Sequence, residues 1–396
     1  MEAPKTLPRS PSPAHTSALR FVLFIGIVSM FSDMTHEGAR SITGPFLATL
    51  GASATIVAVV AGFGELLGYA LRFVFGYAAD RTGKYWPITL FGYTVQMLVV
   101  PLLALAGNWP VAAILIIAER TGRAIRNPAR DAMLAHATTE LGSGWVFGLR
   151  EALDAGGAMI GPLIVAAAIF FHGGYRIGFA VLLVPALLTL VVLAAAWRQY
   201  PTPGDLEVRE GLPERKGIPH VFWVYLVGMG LIAAAYADFP LIAFHFSKAH
   251  IVSTAWIPIL YAGAMATEAV AALVLGRLFD RIGLLTVVGA TVLTAFFAPL
   301  VFLGNAALAV IGMVLWGLGM AAQESIVKAA ITGMVGAERR ASAYGLFDTG
   351  FGVFWFLGSI VLGVLYDRSI TALVVFSVVL QLAAIPLLLR TRRGLT

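Results

Sequence analysis

The fold is decided by two related stretches of sequence, Gly76-Tyr-Ala-Ala-Asp80-Arg81-Thr-Gly83-Lys84 and Gly276-Arg-Leu-Phe-Asp280-Arg281-Ile-Gly283. The second lies 200 residues after the first, and each follows an apolar segment long enough to cross a bilayer. Two more pairs recur at an offset of 197 residues, Gly148 with Gly345 and Gly161 with Gly358. The pattern predicts an internal repeat with both halves in the same orientation and a central cavity between them.

The composition places this repeat in a membrane. Hydrophobic residues make up 59% of the 396 residues and charged residues only 12%, against about 25% in soluble domains. The net charge of +6 does not indicate a nucleic-acid partner, because the basic residues lie between apolar segments rather than on one soluble face. The absence of cysteine excludes disulfides, thiolate metal sites and thiol catalysis.

Twelve apolar segments follow one another, six on each side of a polar stretch. We predict spans at 19–38, 53–79, 85–106, 110–132, 144–171 and 175–197, and at 220–246, 254–279, 284–304, 306–330, 341–365 and 369–389. The predicted fold class is an all-α membrane protein with twelve transmembrane helices in two six-helix bundles, at 19–197 and 220–389. Residues 198–219 form a linker, residues 1–18 a disordered tail and residues 390–396 a second tail.

Lysine and arginine in the loops predict the orientation. The linker, the two tails and the loops on their side hold most of these residues, whereas the opposite side holds only Arg40, Arg176, Lys248 and Arg368. By the positive-inside rule, both termini and the linker are cytoplasmic.

The repeated loop stretch resembles the cytoplasmic-loop motif of the major facilitator superfamily, and the resemblance covers residues 19–389. In that family the Asp and Arg of the motif hold the two bundles together in one conformation and release them in another. The resemblance therefore implies a gating role for Asp80, Arg81, Asp280 and Arg281, where the alternative is that these charges only fix the topology.

Span five is similar to the antiporter motif of proton-coupled exporters in the same superfamily. It carries Gly148, Gly157 and then Gly161-Pro162, small residues that permit close helix packing and a proline that permits bending. Val165 and Ala166 stand where the family motif has two further glycines. The run Glu119 to Asp131 resembles a bacterial subgroup that includes heavy-metal resistance exporters, although this chain lacks their His-rich tail.

Ionisable residues within the first six spans are candidates for substrate binding and proton coupling, because such groups are costly in a membrane without a partner or a role. One face of a helix carries Asp33, His36, Glu37 and Arg40. The two carboxylates and the histidine can relay protons or coordinate a cation, or Arg40 can simply pair with Glu37 or Asp33. Glu65 lies on span two. We expect Asp154 to pair with Arg120 or Arg150, either as a coupling residue or as a structural ion pair.

The second half offers Asp238 and Glu268. The run Asp238-Phe-Pro240 is expected to interrupt span seven, and Glu268 has no partner nearby in the sequence. Glu324 and Lys328 are spaced as a local salt bridge on one helix.

These features predict a secondary transporter that works by alternating access in the bacterial cytoplasmic membrane. We expect a monomer without cofactor or resident metal that exchanges protons for an exported cationic compound or metal ion. One alternative is a proton symporter that imports a small organic anion held by Arg120 and Arg123. A non-transporting membrane sensor is a second alternative, whereas no ATP-binding loop and no enzyme motif are present.

Overall fold

The structure is a computed structural model that describes residues 13–141, 143–201, 218–335 and 340–393. All regular secondary structure in these ranges is helical. The first half contains α1 (Pro13–Thr49), α2 (Ala54–Thr82), α3 (Tyr85–Leu102), a short 3-10 helix (Leu103–Leu105), α4 (Trp109–Leu141), α5 (Ser143–His172), α6 (Tyr175–Val181) and α7 (Leu183–Gln199). The second half contains α8 (His220–Ala235), α9 (Phe239–Lys248), α10 (Trp256–Ile282), α11 (Leu285–Thr294), α12 (Phe297–Phe302), α13 (Ala306–Met334), α14 (Arg340–Arg368) and α15 (Ile370–Arg393).

Eleven stretches of the described residues are long and apolar enough to cross a membrane, so the protein is a multi-pass membrane protein. In three of them two consecutive α-helices form one span, namely α6 with α7, α8 with α9 and α11 with α12, and in a fourth α3 continues into the 3-10 helix. Helix α4 is not among the eleven although it has 33 residues. Its apolar run is interrupted by the charged side chains of Glu119, Arg120, Arg123, Arg126 and Arg130. The predicted fourth span, 110–132, is thus the one that stays a prediction, and among the described residues its helix carries the most buried charged side chains.

Helix α1 departs most from the prediction. It begins at Pro13, so residues 13–18 of the predicted disordered tail are helical, and it continues past residue 38 to Thr49. Proline suits the first turn of a helix, where its missing N–H has no partner to lose. The placement of Arg40 in a loop is wrong, because the polar residues that suggested a loop are buried against other helices. Helix α15 likewise extends to Arg393, into the second predicted tail.

The two sides of the protein are named here by the linker. The linker side carries Tyr200, whose carbonyl oxygen accepts a hydrogen bond from Trp86 Nε1 at 2.8 Å. The distal side is opposite and carries the end of α1 and the start of α2. Most of the predicted linker, residues 202–217 of 198–219, lies outside the described ranges.

Equivalent glycines join equivalent helices in the two halves. In the first half α5 packs on α1, and a Cβ at Gly161 would overlap the carbonyl oxygen of Met34. In the second half α14 packs on α8, and a Cβ at Gly358 would overlap the carbonyl oxygen of Ala234. These two glycines are 197 residues apart, so the sequence repeat corresponds to a repeated helix contact.

The two bundles meet mainly through three helix pairs, α1 with α9, α2 with α14 and α5 with α10. On the distal side Gly44 of α1 lies directly on the Pro240 backbone of α9. Nearby, the Asp367 carboxylate at the end of α14 accepts hydrogen bonds from the Thr55 backbone N–H at 2.9 Å and the Thr55 hydroxyl at 2.6 Å. The structure therefore represents a conformation in which the distal side is closed.

Candidate substrate and proton site

A chain of charged side chains lies inside the first bundle and reaches the second. Helices α1 and α4 each contribute residues with the spacing i, i+1 and i+4, which places them on one helical face. These residues are His36, Glu37 and Arg40 on α1, and Glu119, Arg120 and Arg123 on α4. All except Arg123 are buried, so each charge depends on protein partners rather than water.

His36 is the centre of this chain. Its Nδ1 lies 2.8 Å from Glu119 Oε1, and its Nε2 lies 3.0 Å from Arg120 Nη1 and 2.6 Å from Arg123 Nη1. Guanidinium groups only donate hydrogen bonds, so Nε2 must be the acceptor. The imidazole is therefore neutral, with its proton on Nδ1 and donated to Glu119.

Glu119 connects this centre to a second polar layer. Its Oε1 also accepts a hydrogen bond from Gln96 Nε2 at 2.8 Å, and Gln96 Oε1 accepts one from Arg126 Nε at 2.5 Å. Arg126 is fully enclosed and lies over the Tyr93 ring at 4.3 Å. Asp33, which precedes His36 by three residues on α1, contacts this layer, 4.0 Å from Arg126.

Glu65 of α2 provides the main counter-charge for Arg120. Its Oε1 lies 3.0 Å from Arg120 Nη1 and 3.9 Å from Arg40 Nη2. Arg120 is thereby held by Glu65, His36 and Glu119, and its predicted alternative partner Asp154 is not one of them.

Two contacts carry the polar chain across to the second bundle. Arg40 Nη2 lies 2.7 Å from Asp238 Oδ1, and the Tyr261 hydroxyl of α10 donates to Glu37 Oε2 at 2.6 Å. Asp238 occupies the break between α8 and α9, where it also accepts a hydrogen bond from the Phe239 backbone N–H. The interruption of span seven thus positions a carboxylate for an arginine of the other bundle.

Asp154 belongs to a separate ion-pair cluster nearer the linker side. Its Oδ2 lies 2.8 Å from Arg150 Nη2, one of the two partners expected from the sequence. Arg150 also lies 3.8 Å from Asp131, which is bound by Arg130 at 2.9 Å. In this conformation Asp154 is ion-paired.

Glu268 of α10 has a different environment. It is half-buried, and among the described side chains no Lys, Arg or His lies within ion-pair distance of it. The charges that act on it come from both bundles: Glu324 on α13, Glu37 and Arg40 on α1, and Glu151 on α5. Glu324 is exposed, and the side chain of its predicted partner Lys328 lies outside the described residues. Among the described groups that act on it, Glu268 therefore lies between the bundles with three carboxylates against one arginine.

Comparison with known proteins supplies the family. The family model described as Major Facilitator Superfamily matches residues 22–359. The chain belongs to this superfamily. An uncharacterized protein of Mycobacterium tuberculosis is 39% identical over 383 residues, which cover 95% of this chain and 94% of the relative. An uncharacterized transporter of the same superfamily from Methanocaldococcus jannaschii is 25% identical over 362 residues, 88% of this chain and 89% of the relative.

Solved structures agree on the fold of this superfamily member. The nucleoside transporter NupG superposes with a TM-score of 0.72 at 14% identity, covering 94% of this chain and 98% of the other. A bacterial homologue of the lysosomal transporter Spinster, in an inward-facing and unoccupied conformation, gives a TM-score of 0.68 at 13% identity, with coverage of 98% and 97%. The protein is a secondary transporter of the major facilitator fold.

The four charged residues of the repeated loop lie at the linker side of the transporter. Asp80 and Arg81 end α2, Asp280 and Arg281 end α10, and all four are exposed. Within the described ranges no ion pair joins one motif to the other in this distal-closed conformation.

The predicted packing residues of span five lie on α5 of the transporter with different surroundings. A Cβ at Gly157 would overlap the Met30 carbonyl oxygen of α1, as at Gly161, whereas Gly148 has open space around it. Pro162 lies inside α5, which continues through it. Only part of the glycine pattern therefore serves the contact with α1.

Three residues of the transporter site were not among the predicted candidates, namely Gln96, Glu119 and Tyr261. The sequence does indicate a role for Glu119, because it is an ionisable residue beside Arg120 in an apolar span. It does not indicate one for Gln96 or Tyr261, since a single glutamine or tyrosine in a span is common and their partners lie on other helices.

Proposed function

We propose that the protein is a proton-coupled exporter of a small organic cation in the bacterial cytoplasmic membrane. The observation that carries this proposal is the half-buried carboxylate of Glu268, which lies between the bundles beside Glu324 and lacks a basic partner among the described side chains.

The charges of the two bundle surfaces differ in how far they are compensated. In the first bundle Arg40 and Arg120 each have carboxylates within 4 Å, so these arginines have little free capacity for an anion. In the second bundle Glu268 faces other carboxylates. A negative group in this setting is neutralised either by a proton or by a bound cation. The site therefore favours cations over anions.

Competition between the proton and the cation gives exchange. When a cation binds at Glu268 and Glu324, the protein releases protons, and protons arriving from the other side displace the cation. Alternating access requires the Arg40–Asp238 and Glu37–Tyr261 contacts to be made in one conformation and broken in the other. Asp80, Arg81, Asp280 and Arg281 would hold the linker side in the opposite conformation. The direction of export rests on the antiporter-like span five.

An organic cation fits this site better than a metal ion. Among the described residues no three or more His, Asp or Glu side chains are grouped so that they could hold a metal. Aromatic rings lie beside the charged residues, since Tyr261, whose hydroxyl donates to Glu37, packs in a tilted arrangement on Phe239 with ring centroids 4.1 Å apart and lies next to Trp316. Aromatic faces attract organic cations. This favours a substrate outside the heavy-metal class of the resembling subgroup.

The first test replaces the acidic pair. Glu268→Gln and Glu324→Gln keep the side-chain shape but remove the negative charge, so we expect each to lower the accumulation of ethidium by about tenfold. Accumulation is measured in proteoliposomes that are acidic inside, with the membrane potential clamped by potassium and valinomycin.

The same liposomes distinguish the proposed cation exporter from a proton-coupled importer of a small organic anion. If they are made alkaline inside and accumulate a small organic anion, and if Arg120→Gln abolishes that accumulation while both glutamine variants retain it, the cation-exporter proposal is wrong.

A further inference from the structure

Both ring nitrogens of His36 are already occupied, and this constrains how the residue can bind a proton. Nδ1 carries the proton given to Glu119, and Nε2 accepts from Arg120 and Arg123. A second proton can only enter at Nε2. There it would remove the acceptor of two guanidinium groups and place an imidazolium cation 2.6 Å from Arg123 Nη1. Protonation and the present arginine contacts are mutually exclusive.

The groups around His36 decide which arginine leaves. Glu37 on its own helix lies 3.6 Å from Nε2, Glu65 acts on it from α2, and Glu119 contacts it from α4. These carboxylates stabilise an imidazolium, while Arg120 and Arg123 oppose it. Arg120 is also held by Glu65 at 3.0 Å, whereas the hydrogen bond from Arg123 to His36 is the closest polar contact of the Arg123 side chain within the described part of the chain. Arg123 is therefore the group that protonation displaces.

A displaced Arg123 has an acidic group within electrostatic reach in the other bundle. Among the described residues Arg123 is the basic residue that acts most strongly on Glu324, while Asp33, Glu37, Glu65 and Glu119 act on Arg123 within its own bundle. A cavity of about 20 Å³, large enough for one water molecule, borders His36, Arg40, Glu119 and Arg120. Water in that cavity would bring a proton to the polar chain without passage through the acidic pair.

We propose that His36 takes up the coupling proton at Nε2 and that the released Arg123 side chain then replaces the cationic substrate at Glu324. The proton passes from a hydronium ion to Nε2, so one O–H bond breaks, one N–H bond forms, and the two hydrogen bonds from arginine are given up. Substrate binding reverses the step, because a cation at Glu324 returns Arg123 to His36 and expels the proton. The inference rests on the proposed exchange of protons for a cation and assigns its proton to a residue outside the acidic pair.

Proton release on substrate binding tests this assignment. Purified protein in a weakly buffered, mildly acidic solution with a pH indicator is titrated with tetraphenylphosphonium. The wild type is expected to release protons, and His36→Gln and His36→Asn to release about fivefold fewer, because neither amide can be protonated. The matched control is His245→Gln, which removes the buried histidine bound to Tyr366 in the second bundle and is expected to release as many protons as the wild type.

A second measurement does not need a substrate. Side-chain NMR of the seven histidines, assigned with His36→Gln, is expected to show His36 as the neutral Nδ1–H form in the wild type in mildly alkaline solution. In Arg123→Gln, His36 is expected to become protonated at a higher pH than in the wild type. A His36 signal that does not respond to loss of Arg123 would overturn the assignment.

The outcomes separate the inference from the function on which it rests. If the wild type and the His36 variants release equal numbers of protons, exchange stands and the assignment to His36 is wrong. If the wild type releases no proton with tetraphenylphosphonium, the proposed exchange fails, and NMR alone then decides the coupling between His36 and Arg123.

Discussion

Gly44→Ala is expected to hold the transporter with its distal side open and to reduce transport by about tenfold or more. Gly44 lies at the crossing of α1 and α9, where a Cβ would overlap the Pro240 carbonyl oxygen and lie 2.7 Å from its carbonyl carbon. The obstacle is backbone, so no side-chain rotation can relieve the overlap. Overpacking of this kind costs about 1–3 kcal/mol, and here the bundles can escape the cost by separating.

Distances between spin labels measure this effect directly. The chain has no cysteine, so Thr49→Cys with Thr254→Cys places two labels on exposed distal positions of the two bundles without background. We expect the label distance to lengthen in Gly44→Ala. Gly68→Ala is the matched control, since Gly68 lies in helix α2 with nothing within 4 Å of its Cβ position. An unchanged distance in Gly44→Ala would show that this contact does not govern distal closure.

Loss of Arg40 is expected to destabilise the protein more than loss of its partner Asp238. Arg40→Met leaves the Asp238 carboxylate buried with the Phe239 N–H as its remaining hydrogen bond among the described contacts, and its Oδ2 has no partner even now. Removing one member of a buried ion pair in this way costs about 3–5 kcal/mol. Asp238→Asn leaves Arg40 with Glu37 at 3.8 Å and Glu65 at 3.9 Å, and asparagine still caps α9, so the cost is smaller.

Thermal unfolding of the purified variants tests this asymmetry. The melting temperature is expected to be highest for the wild type, lower for Asp238→Asn and lowest for Arg40→Met. The double variant is expected to regain more than half of the melting temperature that Arg40→Met loses. Recovery follows because the double variant has no uncompensated carboxylate, while Glu37 keeps Tyr261 and Glu65 keeps Arg120. If the two single variants lowered the melting temperature equally, and if their effects added in the double variant, a direct ion pair would be contradicted.

The fold was accessible from the sequence because its signals are local. Apolar segments gave most helices, the recurrence of Gly161 at Gly358 gave the repeated contact, and Asp238-Phe-Pro240 gave the break in span seven. The end of α1 was not accessible in this way. Its polar residues after Met34 resemble a loop until the other helices that bury them are known.

The site was only partly accessible for the same reason. Arg150 and Asp154 are one helical turn apart, so their ion pair could be read from spacing. Arg40 and Asp238 are 198 residues apart, and Glu37 and Tyr261 are 224 apart. A single sequence contains no signal for such pairs, because they depend on how the two bundles are placed against each other. The candidates Asp33, His36 and Glu37 were therefore found as a face of a helix, but without their partners.

Proton movement in proteoliposomes tests the central claim most directly. Liposomes that contain the wild-type protein and a pH-sensitive dye are made acidic inside, their membrane potential is clamped, and ethidium is added outside. The account predicts that the lumen becomes alkaline as protons leave in exchange for the cation, and that protein-free liposomes do not respond. The account would be contradicted if the pH of the lumen did not change with organic cations and if protons instead entered together with a small organic anion.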